Sequence, residues 1–238
     1  MRHNRVRLYR PVNQMAESTP TSTNVQIPYS QIEYTLFFDS PVLKAFVEPS
    51  SLIESVLTAL KPHGFQFDGV ESIRGTKTGE WKTTFRRANS PLFIYGVAPN
   101  RLWVTADNLD WSGAEEAIGC IETALAAFKR TLNYVVTSQV FVLSMHVQMK
   151  DKTPAEISES LVTPNVLKIL DGAFKCHGLV LTRDKATFVL DNSASFANAL
   201  FMRIAREYAA DTTLGQIANR LRADEENIFK VLGLEGDL

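Results

Sequence analysis

The chain has 238 residues, of which 45% are apolar and 21% charged, with a formal net charge of −1. This is the composition of an ordinary globular protein with room for one large domain or two small ones, and it excludes a mainly disordered chain. A near-zero net charge gives the whole molecule no general attraction to nucleic acid or anionic membrane, and no stretch approaches the about 18 consecutive apolar residues of a membrane-spanning helix.

With only two cysteines, Cys120 and Cys176, a disulfide framework is not indicated, and a reducing compartment is expected. With no apolar segment of the secretory kind near Met1, the expected location is the cytoplasm.

Residues 1–30 form the first unit. They lack periodicity and are rich in Ser, Thr, Pro and Asn, so a flexible leader is expected. Arg2, Arg5, Arg7 and Arg10 make its first third basic. Setting these four aside from the 25 basic residues leaves 21 against 26 acidic, a net of −5 for the remainder. The leading interpretation is a polar tail whose translation starts at Met15. An organelle-targeting peptide and a basic arm for a phosphate backbone or an acidic partner are the alternatives.

The second unit is 31–135. Ile32, Tyr34, Leu36 and Phe38 alternate with polar residues, which predicts a half-buried strand. A helix follows over 50–64, with a Ser51/Glu54 capping box, an apolar stripe of Leu52, Val56 and Leu60, and Pro62 and Gly64 as stops. Strand-like runs at 65–73, 80–87, 91–97 and 101–107, separated by short turns, predict an antiparallel meander. A long helix over 112–132 closes the unit, with Ser112 and Glu115 as a capping box and Ala114, Ile118, Ile121, Leu125, Phe128 and Leu132 on one stripe.

The third unit, 136–238, repeats that order. Phe141, Leu143, Met145, Val147 and Met149 alternate. Thr153, Pro154 and Glu156 start a helix, and a second short helix is expected around 164–170. A hairpin runs through 174–192 across Arg183–Lys185. Residues 198–210 fit both periods and are taken as a strand, and two short helices end the chain. The expected fold is therefore α+β: antiparallel meander sheets backed by helices, as two similarly organised halves (β-α-β-meander-α, twice).

The candidate sites are few. At 212–234, Ala218, Arg222 and Ile228 occupy the small, turn and apolar positions of a helix-turn-helix, with Ile217, Leu221 and Val231 around them. The segment resembles a generic helix-turn-helix, which implies a DNA-reading role. Arg222 is poor at the positive φ of such a turn. Asp224, Glu225 and Glu226 would open the recognition helix and repel phosphates, though they suit the positive end of a helix dipole.

Arg86, Arg87 and Arg101 alternate with Phe93, Tyr95 and Trp103 in a manner that could stack single-stranded nucleic acid, though strands favour aromatics in any case. The nucleic-acid candidates are thus Arg2, Arg5, Arg7, Arg10, Arg86, Arg87, Arg220, Arg222 and Lys230. Residues 75–79, GTKTG, fail the spacing of a phosphate loop and predict a hairpin turn.

Cys176 and His177 are neighbours on a strand and point to opposite faces, which prevents a nucleophile–base pair. His146 shares a polar face with Ser144 and Gln148, and His63 sits at a helix end. Asp107, Asp110, Glu115 and Glu116 read as loop and first-turn acids. No spacing fits a metal site or a cofactor motif, and no catalytic group stands out. The sequence argues against an enzyme and for a cytoplasmic binding or assembly protein working through protein contacts or self-association, with a DNA-binding regulator and a ligand site of distant residues as alternatives.

Overall fold

The alternation of Tyr34, Leu36 and Phe38 belongs to a 16-residue strand, β1 (Thr23–Phe38). The computed structural model describes residues 23–87, 92–108, 111–162 and 178–235, with 111–115 as backbone only. β1 pairs antiparallel with β5 (Arg101–Asp107) on one side and β6 (Val136–Met149) on the other. Beyond β5 run β4 (Leu92–Ala98), β3 (Lys82–Arg87) and β2 (Val70–Ile73). Beyond β6 run β9 (Ala199–Ala209), β8 (Ala186–Asn192) and β7 (Gly178–Arg183). A two-residue β10 (Leu234–Glu235) pairs parallel with the start of β1. The fold is α+β, built on one ten-stranded sheet.

Thr23–Ser30, assigned to the leader from sequence, is strand. Val25 pairs with Met149 on the core face, but the register shifts between Gln26 and Tyr29, around Pro28, so the buried positions change from odd to even numbers. A bulge of this kind hides the alternation.

One register row shows how the core is laid down. Phe85, Tyr95, Val104, Tyr34, Phe141 and Arg206 stand side by side across six strands. On this face lie the helices α2 (Pro49–Leu60), α3 (Trp111–Thr131) and α5 (Leu214–Leu232). Phe65, just after α2, meets Tyr95 edge-on at 5.2 Å, and Phe128 of α3 meets Phe85 at 6.2 Å. Ala117, Cys120, Ala124 and Ala127 give α3 a small-residue face, all fully buried. Short α1 (Lys44–Val47) and α4 (Pro154–Ser160) add Phe46 and Ile157 to the same core. No described helix is long and apolar enough to cross a membrane.

The helix starts follow local chemistry. Thr153 and Glu156 form the expected reciprocal capping box of α4, and Thr213 and Gln216 form another on α5. At α2 the expected Ser51/Glu54 box is not formed. The N-cap falls three residues earlier, at Glu48, because Pro49, whose φ is already helical, takes the first helical position. The stops at Pro62 and Gly64 hold, Gly64 adopting φ 84°.

The two short helices expected at 212–234 are one. Leu214, Ile217, Leu221, Glu225, Phe229 and Leu232 are buried at helical spacing straight through the supposed turn, and no Gly or Pro lies between Ile217 and Leu232. The second short helix expected around 164–170, the capping box of Ser112 and Glu115, and the first part of the 174–192 hairpin lie outside what is described; the hairpin from Gly178 onward is present.

Candidate interaction surface

The alternating sheet separates the arginine–aromatic cluster into two groups. Arg87, Phe93 and Tyr95 face the helices and are buried, whereas Arg86, Arg101 and Trp103 face away. Arg87 is no surface cation: its Nη1 donates to Glu116 Oε1 at 2.8 Å and to the His63 carbonyl at 3.0 Å, and its guanidinium lies 4.4 Å from the Phe93 ring. Glu116, read from sequence as a dipole acid, thus ties α3 to β3. On the other face Trp103 lies over Gly96, where an added Cβ would come within 2.0 Å of the indole. Arg101 sits over the same ring at 5.5 Å.

The acids of the helix-turn-helix candidate have structural partners in the middle of a helix, not at its start. Asp224 accepts from Arg206 on β9 through both oxygens, the Nη2–Oδ1 bond at 2.9 Å, and also meets Arg220 at 3.4 Å. Glu226 pairs with Arg222 at 4.0 Å, and Glu225 is buried. Lys230 is exposed in the last turn of the helix. Asp224 therefore clamps α5 to the sheet. Arg2, Arg5, Arg7, Arg10, Cys176, His177 and Asp110 lie outside the described residues.

His146 is less solvated than its polar face suggests. Its Nδ1 meets Ser193 Oγ at 2.8 Å, and the rings of Tyr29, Phe196 and Phe201 stand 5.0 to 5.8 Å from its own. Ser193 Oγ also accepts from the backbone N–H groups of Ser195 and Phe196, so its lone pairs are taken and its proton goes to the imidazole. This arrangement orders the 193–198 loop. Burial lowers the His146 pKa. Asp107 accepts from Gln31 at 2.8 Å on the sheet's outer face, the face opposite the one that holds the Arg87–Glu116 pair.

A concavity of about 590 Å³ lies between α3 and the chain entering α5, above Tyr34, Tyr134 and Gln139. Its polar floor is already engaged. The Tyr34 hydroxyl donates to Gln139 Oε1, and Gln139 Nε2 donates to the carbonyls of Ala209, Ala210 and Thr212 at 2.8 to 3.0 Å. Burial raises the pKa of Tyr34 far above the ordinary tyrosine value and also that of Tyr134. Among the described residues no group of three or more His, Cys, Asp or Glu gathers to hold a metal ion.

Apolar exposure is concentrated elsewhere. Along α2, Pro49, Ile53, Leu57 and Thr58 form one wall of a groove of about 490 Å³, and Phe67 closes it with 73% of its surface exposed. Val47, two residues before Pro49, is 55% exposed. At the opposite end of the sheet, edge strand β7 presents Val180 and Leu181, 64% and 53% exposed. The strand pattern foretold aromatics on a sheet but not this groove, because Phe67 leaves the expected strand in a turn of 3₁₀ helix, Phe67–Gly69.

No protein-family model matches the chain, and comparison with curated proteins finds no significant relative.

Proposed function

We propose that this chain is a non-enzymatic binding or assembly protein that works in the cytoplasm through protein–protein contacts. The observation that carries the reading is the α2 groove with Phe67 at its rim. A phenylalanine left in water forgoes about 1.5–3 kcal/mol of burial, and an aromatic beside an apolar groove is the kind of anchor that dominates protein interfaces. The groove offers Ile53, Leu57 and Phe67 to an apolar segment of a partner, with Glu54 and Ser50 as a polar margin.

The polar clusters favour this reading over catalysis. Arg87–Glu116, Arg206–Asp224, Tyr34–Gln139 and His146–Ser193 each have an internal partner and a packing role. The reading also treats 31–135 and 136–238 as two similarly organised units sharing one sheet. The strand order supports this, since each side of the β1–β6 seam returns as an antiparallel meander to its own long strand.

Affinity capture of the tagged protein from its own cells, with and without nuclease, tests the function. A stoichiometric protein partner that persists after nuclease is expected, and Phe67→Glu should release it. Recovery of nucleic acid alone would overturn the proposal and restore the arginine-based alternative.

A further inference from the structure

We infer that the α2 groove receives a basic amphipathic helix of a partner protein, apolar on the face it presents to α2 and rich in Lys or Arg along its margins. The inference rests on the protein-contact reading above and names the kind of segment that fills the groove.

The shape of the groove selects a helix. Its long wall is α2, whose interior backbone groups bond within the helix and offer no edge for a strand to extend. Recognition therefore falls to side chains. Pro49, Ile53 and Leu57 form one i, i+4 row, Ser50, Glu54 and Thr58 form the next, and both rows line the groove. Rows at this spacing are the ridges between which a facing helix seats its own apolar side chains. From Pro49 to Thr58 the wall runs about 14 Å, enough for about two and a half turns of a partner helix. Phe67 at the rim supplies an aromatic anchor, and exposed Val47 adds apolar surface two residues before Pro49.

The margin selects the charge. Glu54 is the charged residue in the lining, and Glu48 and Asp68 are the chain neighbours of Pro49 and Phe67. All three acids are exposed, and among the described residues none of them is held in an ion pair. The nearest bases in sequence, Lys44 and Lys61, fall outside the stretch from Pro49 to Thr58. A helix that covers Ile53, Leu57 and Phe67 brings its flanks beside these carboxylates. Lys or Arg at those flanks is attracted, and Asp or Glu is repelled. The apolar anchors supply most of the affinity, and the acidic margin chooses among apolar helices.

Selection from a phage-displayed library of helical peptides, randomised at every exposed position, reads what the full chain takes. Clones that bind the parent chain but not Phe67→Glu are expected to share apolar residues at i and i+3 or i+4 and to carry net positive charge. Phe67-dependent clones that are neutral or acidic refute the inference and leave the groove as a contact surface. If no clone depends on Phe67, the groove-based function falls together with the inference.

The best clone, made as a labelled synthetic peptide, is then followed by fluorescence anisotropy. Glu48→Gln, Glu54→Gln and Asp68→Asn combined should weaken its binding about tenfold, the sum of three modest rim attractions, with unchanged circular dichroism. Proline at the centre of the peptide should abolish binding by breaking its helix. An affinity indifferent to either change overturns the inference. So does a full-chain dimer in sedimentation velocity that Phe67→Glu disperses, because the groove would then hold a second copy.

Discussion

Tyr34 on β1 donates its hydroxyl proton to Gln139 on β6, across the pairing that joins the two sides of the sheet. Gln139 in turn holds the carbonyls of Ala209, Ala210 and Thr212, fixing the chain where β9 hands over to α5. One buried amide thus connects three elements far apart in sequence. Gln139→Leu keeps the volume but leaves the tyrosine hydroxyl unpaired. A loss of about 2–3 kcal/mol is expected in urea unfolding. Tyr34→Phe should cost about 1 kcal/mol alone and much less in the Gln139→Leu background, since the bond is already gone.

Trp103 and Gly96 form a second coupled pair. The indole occupies the space a Cβ would take at position 96. Gly96→Ala should destabilise by about 1–3 kcal/mol through overpacking, and should be nearly neutral in a Trp103→Ala background. Thermal unfolding of the four proteins measures the coupling, and equal costs in both backgrounds would refute the contact.

The clamp between Arg206 and Asp224 holds α5 to β9 with both partners largely shielded from water. Asp224→Ala strands the guanidinium and should cost about 2 kcal/mol. Hydrogen exchange should quicken first along α5, while α3 remains protected.

Burial lowers the His146 pKa below the ordinary histidine value of 6.5. As pH falls, the unfolded chain then takes up this proton before the folded one does. The folded state is unpenalised above the ordinary value and loses stability as pH drops through it. His146→Asn, which retains an acceptor near Ser193, should flatten the difference in melting temperature between pH 7.5 and pH 5.5 relative to the parent chain. An unchanged pH slope would show that His146 does not contribute.

Much of the fold was legible because its elements follow local rules. Phe141, Leu143, Met145, Val147 and Met149 are buried as their alternation predicts, although Val142 and Ser144 on the opposite face are buried too, and Thr153-Pro154-x-Glu156 caps α4 as written. Where sequence and structure part, an identifiable competitor prevailed. Pro28 sits in a bulge that inverts the alternation, so Val25 and Tyr34 share a face although their parities differ. Pro49 displaced Ser51 from the helix start. In α5 the stripe from Leu214 to Leu232 continues through Arg222 and carries Asp224 to a cation on another strand, a partner that no local spacing reveals. The candidate surface was least legible, since Phe67 gains its meaning only when a turn places it opposite Ile53 and Leu57.

Site-specific photocross-linking tests the binding role most directly. A photoreactive phenylalanine analogue placed at Phe67 and, as a control, at exposed Asn227 on α5 is activated in living cells. The expected result is a single dominant protein adduct from position 67 that is absent from position 227 and lost when Ile53→Glu is added. No adduct at 67, or the same diffuse products from both positions, would contradict a role in protein–protein contact.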